Sequence, residues 1–113
     1  MVYRPVRYEQ MMQAAESYDV RARRMFNGMG IYTGEKMFAF LYESEIGLKL
    51  SPEDHAEMMQ LPGAGPLQPD PNCDPMREYV KLPKDVLDNY DSFVDWVNRS
   101  AGYVRKKISQ AGS

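Results

Sequence analysis

One cysteine, Cys73, and one histidine, His55, are all that the 113 residues contain of those two types. A lone cysteine closes no intrachain disulfide, and a lone histidine without a cysteine set has no zinc-binding partner spacing. Positive charge is not in excess either. Fourteen basic residues against 16 acidic ones give a net charge of −2 and a pI near 5.4, without the broad positive field of a domain that holds nucleic acid through its phosphates. No stretch approaches the roughly 20 apolar residues of a membrane span. The opening MVYRPVRYEQ lacks a signal peptide's apolar run, so the expected home is a reducing cytoplasm. Internal repeats and an interdomain linker are also lacking.

What is present suits one globular domain, residues 1–113: 43% hydrophobic and 27% charged residues are ordinary for a folded chain that needs no disulfide or metal to cohere. The charges are unevenly spread. Residues 51–95 carry ten acids against three bases, and residues 96–113 carry four bases and no acid.

Residues 20–50 read as an antiparallel meander. Gly34-Glu35 between Thr33 and Lys36 suits a two-residue hairpin turn with glycine at the first central position, which pairs Tyr32 with Met37 and Ile31 with Phe38. A second turn near Ser44-Glu45 sets Leu41 opposite Leu48 and Ala39 opposite Leu50. Alternation then puts Met37, Ala39, Leu41, Ile46, Leu48 and Leu50 on a core face, with Ile31, Phe38, Phe40 and Tyr42 on the other. That second face is more aromatic than a solvated sheet face needs. It is either a partner surface or is covered by the last helix or a loop of the same chain.

Around the meander, residues 7–17 carry Tyr8, Met11, Met12 and Ala15 at helical spacing, and residues 20–26 alternate as a strand before the turn pair Asn27-Gly28. Ser51-Pro52-Glu53-Asp54 is a helix start, with Ala56, Met59 and His55 as inward candidates before Leu61-Pro62-Gly63 stops it. Five prolines in residues 62–75 leave an extended loop with an edge strand near Leu67. Residues 76–82 read as a short strand with Tyr79 on one face and Val80 and Leu82 on the other. A short helical turn follows Pro83. A final helix from Asp91 or Ser92 bears the stripe Phe93, Trp96, Val97, Ser100, Ala101, Val104 and Ile108. The expected fold class is α+β: an antiparallel meander packed with three main helices as a two-layer sandwich.

No residue set amounts to a reaction centre. Gly28, Gly30 and Gly34 have neither dinucleotide nor Walker spacing and read as turn or close-approach glycines. Asp85, Asp88, Asp91 and Asp95 straddle two helix starts, where acids are expected without a metal. His55 has no nucleophile paired with it by any motif, and acids flank Cys73, which disfavours its thiolate. Two groups remain. Arg21 and Arg23 share one strand face while Arg24 points to the other; either Arg23 or Arg24 pairs with an acid of residues 85–95 to pin the last helix, or Arg21 and Arg23 bind nucleic acid or another anionic ligand together with Arg105, Lys106 and Lys107. Phe38, Phe40 and Tyr42 form the aromatic group.

Ala22-Arg23-Arg24-Met25-Phe26, then Gly28, Gly30, Ile31-Tyr32, Lys36-Met37-Phe38-Ala39, Leu48-Lys49-Leu50, residues 82–87, and the helix with Phe93 and Trp96 together resemble the N-terminal domain of the TfoX/Sxy competence regulators. The chain departs from that pattern at Asn27, where a further glycine is usual; at Gly47, where an aromatic is common; and in the Pro-rich residues 62–75. Complete TfoX-like regulators have a second, helical domain, and this chain ends at Ser113, so a single-domain relative is expected. The resemblance implies an α+β fold and a non-enzymatic role in gene regulation through contact with other proteins, with no cofactor. The overall expectation is a protein partner or homodimer, with nucleic acid as the alternative and with no metal, membrane or small-molecule substrate.

Overall fold

In the computed structural model, which describes residues 5–25, 28–42, 45–68, 72, 74–76 and 78–111 without the side chains of Pro5, Met25 and 107–111, the meander is the centre of the fold. Strands β1 (Val20–Met25), β2 (Gly28–Thr33), β3 (Lys36–Tyr42) and β4 (Glu45–Lys49) follow one another as antiparallel neighbours. Later in the chain β5 (Gly65–Pro66) and β6 (Tyr79–Lys81) complete a six-stranded sheet in the order β1-β2-β3-β4-β6-β5. Gly34 has φ of 63°, the left-handed value that glycine at the first central position of a hairpin turn supplies cheaply.

The register departs from expectation at one residue with large effect. Tyr32 pairs with Met37 as the turn requires, but Ile31 pairs with Ala39, so Phe38 is passed over as a β-bulge. A one-residue slip reverses the faces. Phe38 and Ile31, both expected on the outer face, therefore join Ala39 and Leu41 in the main core, while Met37 turns outward. At the second hairpin Leu41 pairs with Ile46 and Ala39 with Leu48, two residues from the expected register. A shift of two leaves the faces unchanged, and Ala39, Leu41, Ile46, Leu48 and Leu50 are all buried as expected. Residues 26–27, not Asn27-Gly28, connect β1 to β2 and lie outside the described residues, as do residues 43–44. Gly28 begins β2, where a Cβ would collide with the Leu41 carbonyl and stand 2.7 Å from the Phe40 ring.

The helices pack on one side of the sheet. α1 (Pro5–Ala14) buries Met11 and Ala14; residues 15–17 leave the helix, with the Tyr18 amide donating to the Ala15 carbonyl at 2.9 Å. α2 (Pro52–Met59) starts as the sequence predicts, the Ser51 hydroxyl accepting from the Asp54 amide at 3.2 Å. Its inward residue is Met58. Ala56 and Met59 are exposed and His55 is half-buried, because the helix is turned so that Met58 and Leu61, three apart, meet the core. The Pro62-Gly63 turn follows, with Gly63 at φ 90° and the Ala64 amide donating to the Leu61 carbonyl. α3 (Lys84–Leu87) is one turn long. α4 (Tyr90–Ala111) begins one residue before the expected Asp91, after Asn89, whose side-chain carbonyl accepts from the Ser92 amide at 3.2 Å. Among the described residues no helix is long and apolar enough to cross a membrane.

The α4 stripe follows the predicted periodicity as far as it is described: Phe93, Trp96, Val97, Ser100, Ala101 and Val104 are all buried, and the side chain of Ile108 lies outside the described residues. Ser100 is the only polar member. Its hydroxyl lies 3.0 Å from the Phe38 carbonyl and 2.6 Å from that of Lys49, so the helix donates a hydrogen bond where the bulge and the end of β4 present acceptors. Leaving such groups dry and unpaired costs about 1–3 kcal/mol. Ser100→Ala is therefore expected to lower unfolding stability by about 1–3 kcal/mol in urea titration with an unchanged slope. A variant as stable as the parent would show that the hydroxyl does not anchor the helix.

Candidate interaction surface

The outer face of the sheet, away from the helices, divides into two halves with different fates. Over β3, β4 and β6 lie Phe40, Tyr79 and Leu67, all buried, with Met37, Tyr42 and Met76 packed at their margin. Leu67 comes from the Pro-rich segment. It is held there by the β5 pairing and by a 2.8 Å hydrogen bond from the Met76 amide to its carbonyl. Its side chain occupies the space above Gly47, where a Cβ would lie 2.9 Å from Leu67 Cγ. Gly47 faces Phe40 across the strand pair, so the missing side chain makes room for the loop residue that covers the aromatic ring. The Tyr79 hydroxyl donates to the Met37 carbonyl at 3.0 Å, and burial pushes its phenol well above the ordinary value, with the nearby Tyr32 and Glu78 adding to the shift.

This corrects the aromatic site. Phe38 and Phe40 are both 0% exposed, one in the helix-side core and one under Leu67, so neither presents a docking surface. Tyr42 alone of the three is half-buried. A loop of the same chain, not a helix, covers this half.

The other half belongs to β1. Val20 and Ala22 pack against the main core, which places Arg21 and Arg23 on the outer face and Arg24 on the helix side, all three exposed. Arg21 meets Glu35 at 3.2 Å, in a pair whose side chains are 62% and 89% exposed. Among the described residues no carboxylate is in ion-pair distance of Arg23 or Arg24, so the expected bond from one of them to an acid of residues 85–95 is not formed. Two of those acids are engaged nearer home: Asp88 by Lys84 at 2.6 Å and Asp95 by Arg99 at 3.1 Å. The sheet also separates the outer-face arginines from Arg105 and Lys106, which are exposed on α4; the side chain of Lys107 lies outside the described residues. Among the described residues β1 has a neighbour on one side only.

The residue that ties α4 to α2 by charge is Arg99, which the sequence did not single out. Its guanidinium meets Glu57 at 2.8 Å and Asp54 at 3.4 Å on α2, bonds Asp95 one turn back, and stands 4.5 Å from the centre of the Trp96 ring. The only hint was the four-residue spacing from Asp95. Arg99 also lines a cleft of about 510 Å³ with Ser51, Pro52, Glu53, Gly102, Tyr103 and Lys106. Its charge is already matched by three carboxylates, and the Ser51 hydroxyl already caps α2. Cys73 lies outside the described residues.

Residues 11–103 match the family model of the TfoX N-terminal domain. No curated protein matches the chain.

Two outcomes follow from the covered half of the sheet. Leu67→Ala should destabilise the protein by about 2–4 kcal/mol, and Gly47→Phe by about 1–3 kcal/mol because it drives Leu67 from its seat. Combined, they should cost less than the sum, since the new ring fills what the lost leucine vacates; strict additivity in chemical denaturation would refute the shared seat. The Tyr79 phenol has its pKa raised in the folded state, so the stability this linkage confers is complete below the unfolded value near 10 and is lost as pH rises beyond it. Tyr79→Phe should flatten the fall in melting temperature above about pH 10, and a fall as steep as the parent's would place its origin elsewhere.

Proposed function

The chain belongs to the TfoX N-terminal domain family, and on that premise we propose that it is a non-enzymatic regulatory module that acts by binding another protein. The observation that carries this reading is the exposed edge of β1, with Arg23 and Arg24 unmatched by any carboxylate among the described residues. An open strand edge offers backbone donors and acceptors that a second chain can pair with. Catalysis has less support, because the polar groups that converge in the cleft beside α4 bond one another: Arg99 to three acids and Ser51 to its own helix. Nucleic-acid binding through Arg21, Arg23, Arg105, Lys106 and Lys107 also has less support, because Arg21 and Arg23 lie across the sheet from α4.

The test is retention of a discrete host protein by the immobilised chain, followed by reconstitution of the pair from purified components. Saturable one-to-one binding is the expected result. No protein retained at any salt concentration, with duplex DNA bound in a salt-sensitive manner instead, would overturn the reading in favour of nucleic acid.

A further inference from the structure

We propose that the free edge of β1 accepts an extended acidic segment of a partner protein as a seventh strand, with Arg21, Arg23 and Arg24 selecting its carboxylates. The inference rests on the protein-binding reading above and names the chemistry of the partner.

Of the two ends of the sheet, only this one can pair over any length. β1 is six residues long, about 20 Å, whereas β5 at the opposite end has two residues, one of them Pro66, which has no amide proton to donate. Three arginines in four residues then decide what can lie alongside. Residues opposite one another on neighbouring strands bring their Cβ atoms to about 5 Å, so like charges repel there and opposite charges attract. A second copy of this chain docked edge to edge in antiparallel fashion would set arginine against arginine, which argues against self-pairing. A strand carrying carboxylates is complementary.

The faces refine the match. Arg21 and Arg23 project to the outer face two residues apart, and Ala22 between them packs towards the core. The favoured segment alternates, with acids opposite the two outward arginines and a small apolar residue opposite Ala22. Arg24, on the helix side, adds a third acidic contact at the end of the strand. Because the arginines lie on both faces, they flank an added strand better than they converge on a row of phosphates. The Arg21–Glu35 pair is highly exposed and weakly held, so Arg21 can exchange it for a carboxylate of the incoming strand.

The probe is a synthetic peptide alternating glutamate with valine and long enough to span β1, titrated into the isotope-labelled full chain. Saturable amide shifts and slowed hydrogen exchange centred on residues 20–25 are expected. The R21T/R23T/R24T variant, in which exposed arginines become strand-compatible threonines, should weaken binding by about tenfold. Should that variant lose its native amide spectrum, the charge swap decides: R21E/R23E/R24E should bind the corresponding lysine–valine peptide and not the glutamate one. A peptide of equal charge with proline at alternate positions should not bind, because it cannot form the ladder. Shifts centred away from β1, equal binding of the proline peptide, equal or tighter binding of oligothymidylate, or unchanged affinity in the threonine variant would each overturn the proposal. A host protein retained equally by parent and threonine variant would leave the protein-binding reading standing while removing the β1 edge as its site.

Discussion

Where β3 passes Phe38 without a partner residue on β2, the sheet offers a carbonyl to the dry side of the molecule, and the hydroxyl of Ser100 meets it. The same hydroxyl reaches Lys49 at the end of β4, so a single α4 side chain spans two strands. A buried acceptor needs a donor in a fixed place, and this sets where α4 crosses the sheet and how deep it lies. The apolar stripe from Phe93 to Val104 packs around that point. Greasy side chains alone tolerate sliding; a hydroxyl between two carbonyls does not.

The bulge also decides what the other side of the sheet contains. By placing Phe38 and Ala39 in succession on the helix side, it removes one aromatic ring from the outer face and puts Met37 in its place. The remaining ring, Phe40, is small enough a patch for one leucine to cover, provided its cross-strand neighbour has no side chain in the way. Gly47 meets that condition. The Pro-rich segment, unable to build a helix or a long strand, thus supplies core through Leu67.

Much of this was legible in the residues. Alternation revealed the faces of β1 and β4, where a hairpin slip of two residues does not disturb the pattern, but it set Ile31 of β2 on the outer face, and the bulge opposite it places that residue in the main core. The α4 stripe, the Ser51 cap and the Gly34 turn were each written in local chemistry. The bulge was not, since Met37, Phe38 and Ala39 are all apolar and fit either face. Nor was the rotation of α2, where Met58 and Met59 are chemically identical candidates. Arg99 and its acids on α2 are separated by more than forty residues, a distance over which no periodicity speaks. At the candidate surface the division of Arg21 and Arg23 from Arg24 followed from strand geometry, but the openness of β1 depends on topology that only the assembled sheet defines.

The two-residue β5, with Pro66 at its outer margin, has a consequence for the way the molecule can assemble. A ribbon that can be lengthened at both ends is a monomer unit for fibres; one blocked at a single end is not. A ladder needs successive amide protons, and a margin two residues long with a proline in it has almost none to give, so among the described residues the sheet is a one-sided template.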